Sequence, residues 1–350
     1  MSPHDTAELP VNAAPRVHTE RRPVVARSPE RILRISSIKP YTRDGINLFA
    51  QLPISELEGR GWTVRWNEEI DACDAWLILD GVGEVEACRC PRENVLFMTA
   101  EPSAYKRYPK VWLEQFPNIV TWQRRMQHAR RTHGHVPLPW FIGRSRAELL
   151  AMHTTPKSRD ISGFCSSQHC MKGHHRRLSC VGRLKRDMGD DIDWFGRNIR
   201  FIEDKWDGLA PYRFSFALEN SREDDYWTEK LVDCFLSRTI PLYDGAPNLA
   251  QYFPEGSYIP VNMDDHGAIV QLVSRLLRDP IGEYQRRQAA LEQARTLCLE
   301  RYSLGARLLE WCDTLSVGLP APIHHFVPEP KLPWFERKVM QFRRRWLGRL

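Results

Sequence analysis

The sequence has no apolar run long enough to span a bilayer. Its first stretch, MSPHDTAELPVNAAPRVHTERR, has no apolar segment of the kind a secretory signal needs. Gly and Pro, 20 and 25 of 350 residues, are too few for a low-complexity or collagen-like chain. No tandem repeat is visible, which argues against a solenoid or propeller. Excess charge of one sign is small: 50 Lys and Arg against 44 Asp and Glu, a net +6. That excess suits an anionic partner, phosphate or a membrane surface, without identifying one. The nine cysteines are odd in number and sit in apolar contexts such as IDACDAWLIL and LVDCFL. They fit reduced thiols rather than a disulfide framework. The expected location is therefore the cytoplasm, with a peripheral position at the inner face of the membrane as the alternative.

What is present is an alternation of β and α patterns. Residues 1–30 are rich in Pro, Arg and Ala without periodicity and are expected to be a disordered basic arm. RILRISSI, WTVRW, DAWLILDG, NVLFMTAEP, NIVTW and HVPLPWFIG look like strands, and INLFAQLPISELEGRG has helical spacing. RSRAELLAMHTTPKSRD then gives a helix and a polar linker, after which the alternation restarts. ISGFCSS, IDWFG, RFSFALE, TIPLYDG and SYIPVN look like strands; RRLSCVGRLKRD, DYWTEKLVDCFLS and HGAIVQLVSRLL look like helices. The expected fold is α/β, two Rossmann-like domains facing a cleft, with boundaries at 31–150 and 155–318. Residues 319–350 end in PWFERKVMQFRRRWLGRL, where Trp334, Phe335, Val339, Phe342, Trp346 and Leu347 share one helical face opposite Lys and Arg. This basic amphipathic tail suits an anionic membrane surface or a dock on the protein itself.

The segment ENSREDDYWTEK, residues 219–230, lies where a central strand ends and a helix begins. Strand ends of open α/β sheets are ligand sites. Asp224 or Asp225 is the expected N-cap, with Glu223, Asp224 and Asp225 facing water. A helix start with Lys230 favours phosphate, and Glu229 beside it suits ribose hydroxyls.

The longer stretch YRFSFALENSREDDYWTEKLVDCFLSRTIPLYDGAPNLAQYFPEGSYIPV resembles the donor-binding region of the α-1,3-fucosyltransferases, glycosyltransferase family 10. The shared pattern is an apolar strand, a Glu-Asn pair, a Tyr-x-Thr-Glu-Lys helix start and a Pro-x-x-x-Gly strand end. The resemblance implies the GT-B type of two-domain fold, a GDP-sugar donor and no metal or other cofactor. It implies a donor site lined by Asn220, Tyr226, Glu229 and Lys230. It adds an arginine from the first helix of the donor domain, Arg177 or Arg176 in HHRRLSCVGRL. It also implies a catalytic base at Glu101 in NVLFMTAEP, where Ala100 stands in place of a common Gly. A carboxylate at that strand end faces the cleft; the plain alternative pairs it with Lys106 or Arg107. The activity implied is inverting transfer of fucose from GDP-fucose to a glycan hydroxyl. The same fold with another nucleotide sugar is the alternative.

Two other stretches invite readings of a different class. CSSQHCMKGHH offers Cys165, Cys170, His174 and His175, but not at the spacing of a standard zinc site. CRC, Cys88 to Cys90, is too short to chelate alone and is expected in a loop. TWQRRMQHARRTHGH interleaves cations with a tryptophan, as nucleic-acid binders do, but such a run is more often a solvated helix face. A non-enzymatic nucleic-acid-binding protein is the rival, although no nucleic-acid partner is expected.

Overall fold

The computed structural model describes residues 30–39, 47–166, 172–196, 198–316 and 318–330. The N-terminal arm and the amphipathic stretch from 331 onward lie outside the described residues. The first half holds strands β1 (Arg31–Ser37), β2 (Trp62–Trp66), β3 (Ala75–Leu79), β4 (Glu86–Arg89), β5 (Val95–Met98), β6 (Ile119–Thr121) and β7 (Arg131–His133). Six of them form a parallel sheet in the order β2-β1-β3-β5-β6-β7. The second half holds β8 (Arg159–Phe164), β9 (Asp193–Phe195), β10 (Tyr212–Leu218), β11 (Ile240–Asp244) and β12 (Ile259–Pro260). These form a second parallel sheet in the order β12-β11-β10-β8-β9.

Strand β3 shows why the apolar runs are continuous. All five residues of AWLIL are buried. Ala75, Leu77 and Leu79 enter one core while Trp76 and Ile78 enter another, because successive side chains of a strand point to opposite faces. The opposite face of the sheet packs Phe97 against Phe116 at 4.3 Å and against Trp112 at 5.5 Å.

The chain crosses back after the second sheet. The helix Leu304–Thr314 puts Leu304, Leu308 and Cys312 into the first domain's core. Strand β13 (Ile323–Phe326) then pairs antiparallel with β4, and Phe326 packs 4.6 Å from Trp76. The tail expected from residue 319 therefore begins as sheet. Cys88 lies in β4 itself, so CRC is not simply a loop.

Three local expectations differ. HVPLPWFIG forms no strand: the last strand of the first sheet is β7, just before it, and Pro137 and Pro139 prevent another ladder from forming there. INLFAQLPISELEGRG is two short helices, Leu48–Gln51 and Ile54–Gly59, separated around Pro53. The N-cap expected at Asp224 or Asp225 is instead Thr228, three or four residues later, and the helix starts at Glu229.

Candidate active site

In each sheet the strand order reverses beside the first strand of its domain, and such switch points open a crevice at the carboxyl ends. In the second sheet the crevice lies between β8 and β10. Asn220 follows β10, and Arg177 comes from the helix Lys172–Met188. The buried Arg177 guanidinium donates to Asn220 Oδ1 and, at 3.0 Å, to Ser166 Oγ. Its Nε is buried and has no hydrogen-bond partner among the described residues. Arg176, one residue away, points elsewhere: it donates to Asp244, at the end of β11, at 2.8 Å and to Asp264 at 2.7 Å. Arg222 shares the fully buried Asp244 carboxylate with it at 2.6 Å.

Lys230 lies at the start of the helix Glu229–Leu236. Its ammonium is 3.2 Å from Glu219, 3.2 Å from Glu229 and 3.1 Å from Thr228 Oγ1. Glu219 is the residue that sequence reasoning left out of the site. Its carboxylate is fully buried and also accepts from the Thr228 backbone at 2.8 Å and from the Thr228 hydroxyl at 2.9 Å. The Glu-Asn pair was legible in the sequence, but only the fold turns Glu219 inward beneath Lys230. Burial raises the Glu219 pKa above the ordinary carboxylate value, with Lys230 opposing. Burial works against charge on Lys230 too, but Glu219 and Glu229 outweigh it and raise the lysine pKa. At Glu229 burial is outweighed by Lys230 and Lys205, and the pKa falls. The outcome is a charged lysine and a charged Glu229 at a helix N-terminus.

Tyr226 crosses to the other domain. Its buried ring belongs to the first domain's core and meets Trp122 edge-on at 4.9 Å. Burial first, then Glu219, Glu229 and Glu101, push its pKa well above the ordinary value. One phenol is thus faced by carboxylates of both domains.

Glu101 stands past the end of β5, in the first sheet's row of carboxyl ends. Its carboxylate pairs with Lys39 at 2.7 Å, not with Lys106 or Arg107. Lys106 instead meets Asp80 at 3.1 Å and Glu329 at 2.9 Å. Asp80 is buried, has φ 60°, and also accepts from the Tyr108 hydroxyl. The main-chain oxygen of Glu101 accepts from Trp122 Nε1 at 3.1 Å and Gln123 Nε2 at 2.8 Å.

The basic run 121–135 is not a solvated helix. It spans the end of β6, a turn and β7; Arg125, Arg130 and Arg131 are exposed, while Arg124, His133 and His135 reach the second domain. Arg124 pairs with Asp224 at 2.7 Å, and Arg131 donates to the carbonyls of Arg124 and Met126. Asp224 and Asp225 therefore meet the first domain rather than only water. Of the zinc candidates, Cys170 lies outside the described residues and His174 is buried in its helix. Among the described residues no group of three or more His, Cys, Asp or Glu is placed to hold a metal ion. Among them, too, no helix is long and apolar enough to cross a membrane.

Residues 156–286 match the family model for glycosyltransferase family 10 (fucosyltransferase), C-terminal domain. The α-(1,3)-fucosyltransferase FucT of Helicobacter pylori is 36% identical over 61 residues, 17% of this chain and 13% of that protein. GDP-fucose protein O-fucosyltransferase 3 of Danio rerio is 41% identical over 221 residues, 52% of this chain and 43% of that protein. The chain thus spans less than half the length of these two relatives. A crystal structure of an α1,3-fucosyltransferase superposes with a TM-score of 0.51 at 15% identity, covering 85% of this chain and 93% of that one. Two parallel α/β domains with facing carboxyl ends define the GT-B class of glycosyltransferase fold. Within that class, the segment that matches glycosyltransferase family 10 is the one that holds Arg177, Asn220 and Lys230.

Proposed function

We propose that this protein is an inverting fucosyltransferase that moves fucose from GDP-fucose to a hydroxyl of a glycan acceptor. The observation that carries the reading is the meeting of Arg177, Asn220, Glu229 and Lys230 at the switch point of a family 10 domain. The Danio rerio relative is named for GDP-fucose, which supports that donor. In this reading Lys230 and Arg177 take the diphosphate and Glu229 the ribose. The recess lined by Phe141, Phe164 and Phe201 at the ends of β8 and β9 takes the base.

Glu101 accepts the proton of the acceptor hydroxyl as that oxygen attacks the anomeric carbon. The bond from this carbon to the β-phosphate oxygen breaks on the opposite side, so the configuration inverts. The sugar passes through an oxocarbenium-like transition state. Negative charge grows on the leaving GDP, where Lys230, Arg177 and the helix start meet it. Loss of one such donor costs on the order of 3 kcal/mol of transition-state stabilisation. With this positive charge in place, the step needs no metal or other cofactor.

A panel of GDP-, UDP- and CMP-sugars, read by nucleotide release, tests the donor. The expected result is release from GDP-fucose above every other donor. Preferred release from a UDP- or CMP-sugar would replace the donor. No release from any donor, together with salt-sensitive retention on RNA, would favour the nucleic-acid reading.

A further inference from the structure

The two halves of the site are joined by a chain of hydrogen bonds that donor binding and proton transfer do not explain. Asp225 begins it. It is buried, yet its backbone sits in the left-handed region at φ 66°, which a non-glycine residue holds only when its surroundings fix it. Asn248 Nδ2 donates to its carboxylate at 2.7 Å, and the Tyr252 hydroxyl donates at 2.5 Å. Its backbone N–H donates to Asn248 Oδ1 at 2.8 Å. The other carboxylate oxygen meets His133 Nδ1 of the first domain at 3.1 Å.

His133 passes the contact on. Its Nε2 lies 2.9 Å from the main-chain oxygen of Trp122. The fully buried Trp122 donates from Nε1 to the main-chain oxygen of Glu101 at 3.1 Å. Tyr226, next to Asp225, rests on the same indole. The donor loop thus grips Trp122 twice, and Trp122 holds the backbone that carries Glu101.

We infer that Asp225 and His133 are positioning residues that set the reach of Glu101 toward the donor through Trp122. The inference rests on the reading of Glu101 as base. Neither residue touches the phosphate cradle, so each acts on transfer rather than on nucleotide affinity. Misplacement of a reacting group by about 1 Å costs on the order of 100-fold in rate.

The test uses the full chain with His133→Phe, Asp225→Asn and the double variant. GDP binding is measured by calorimetry, and turnover as GDP released from GDP-fucose with the best acceptor of a glycan panel. The expected result is kcat lower by on the order of 100-fold in each single variant. GDP affinity should stay unchanged, and the double variant should fall no further than the worse single one. Wild-type kcat in both singles, or losses that multiply in the double, would overturn the inference. So would a loss of GDP affinity in step with kcat. Asp225→Asn keeps the side-chain shape and decides the matter should His133→Phe not fold. Glu101→Ala in the same series separates the claims. Normal turnover by it overturns the base assignment. Its collapse beside wild-type kcat in both positioning variants overturns only the relay.

Discussion

At the scale of single residues, the site depends on side chains whose neighbours come from distant sequence. Lys230 was legible because a lysine at a helix start is a local pattern. Its partner Glu219 and the Lys39–Glu101 pair were not, since 11 and 62 residues separate those partners. His135 is a further case. Its ring lies 3.4 Å from the Trp227 indole, its Nδ1 is 3.4 Å from the Asp225 carbonyl, and its Nε2 is buried without a partner among the described residues. Burial pushes its pKa down to about 3 from an ordinary 6.5. A depressed histidine pKa means that the unfolded chain takes up the proton first. The stabilising contribution is complete above the unfolded pKa and is lost as pH falls through 6.5 toward 3. Between pH 7 and pH 5 this histidine should remove about 2 kcal/mol of stability. Denaturant titrations of wild type and His135→Leu across that range check it. The variant should lose correspondingly less, and equal losses would contradict the assignment.

At the scale of elements, strands were easier to read than the turns that arm them. Continuous apolar runs marked β3 and β5, because a parallel strand buried on both faces leaves that trace. The start of the Glu229–Leu236 helix was misplaced because Asp224 and Asp225 are good caps in isolation. The fold uses them instead as contacts to Arg124 and His133. The helix Lys172–Met188 shows an element fixed by its approach to a loop. A Cβ on Gly173 would overlap the carbonyl of Asn220, whereas one on Gly182 of the same helix would meet nothing within 4 Å. Gly173→Ala should therefore move Asn220 away from Arg177, destabilise the fold by roughly 1–3 kcal/mol and weaken GDP binding. Gly182→Ala should add up to about 1 kcal/mol of stability and leave binding unchanged. Thermal melting and GDP calorimetry on the pair distinguish a tight approach from a general effect on the helix. Equal behaviour of the two variants would show that the approach to Asn220 does not matter.

At the scale of the whole molecule, the α/β alternation and the break near residue 150 made two domains legible. The return of the chain was not. The helix Leu304–Thr314 and strand β13 lie after the second sheet but pack on the first, and no local pattern says which core an amphipathic helix will join. That return and the Asp225–His133 bridge tie the domain that carries Glu101 to the domain that carries Arg177 and Lys230. In the proposed reaction the labour is divided between them: Glu101 moves the proton, while Lys230 and Arg177 hold the leaving group. Glu101→Ala tests this division most directly, with GDP binding and release of GDP from GDP-fucose measured on the same preparation. The predicted result is unchanged GDP affinity and turnover lower by about 100- to 10,000-fold, the span of a lost general base. Turnover at the wild-type rate would contradict it.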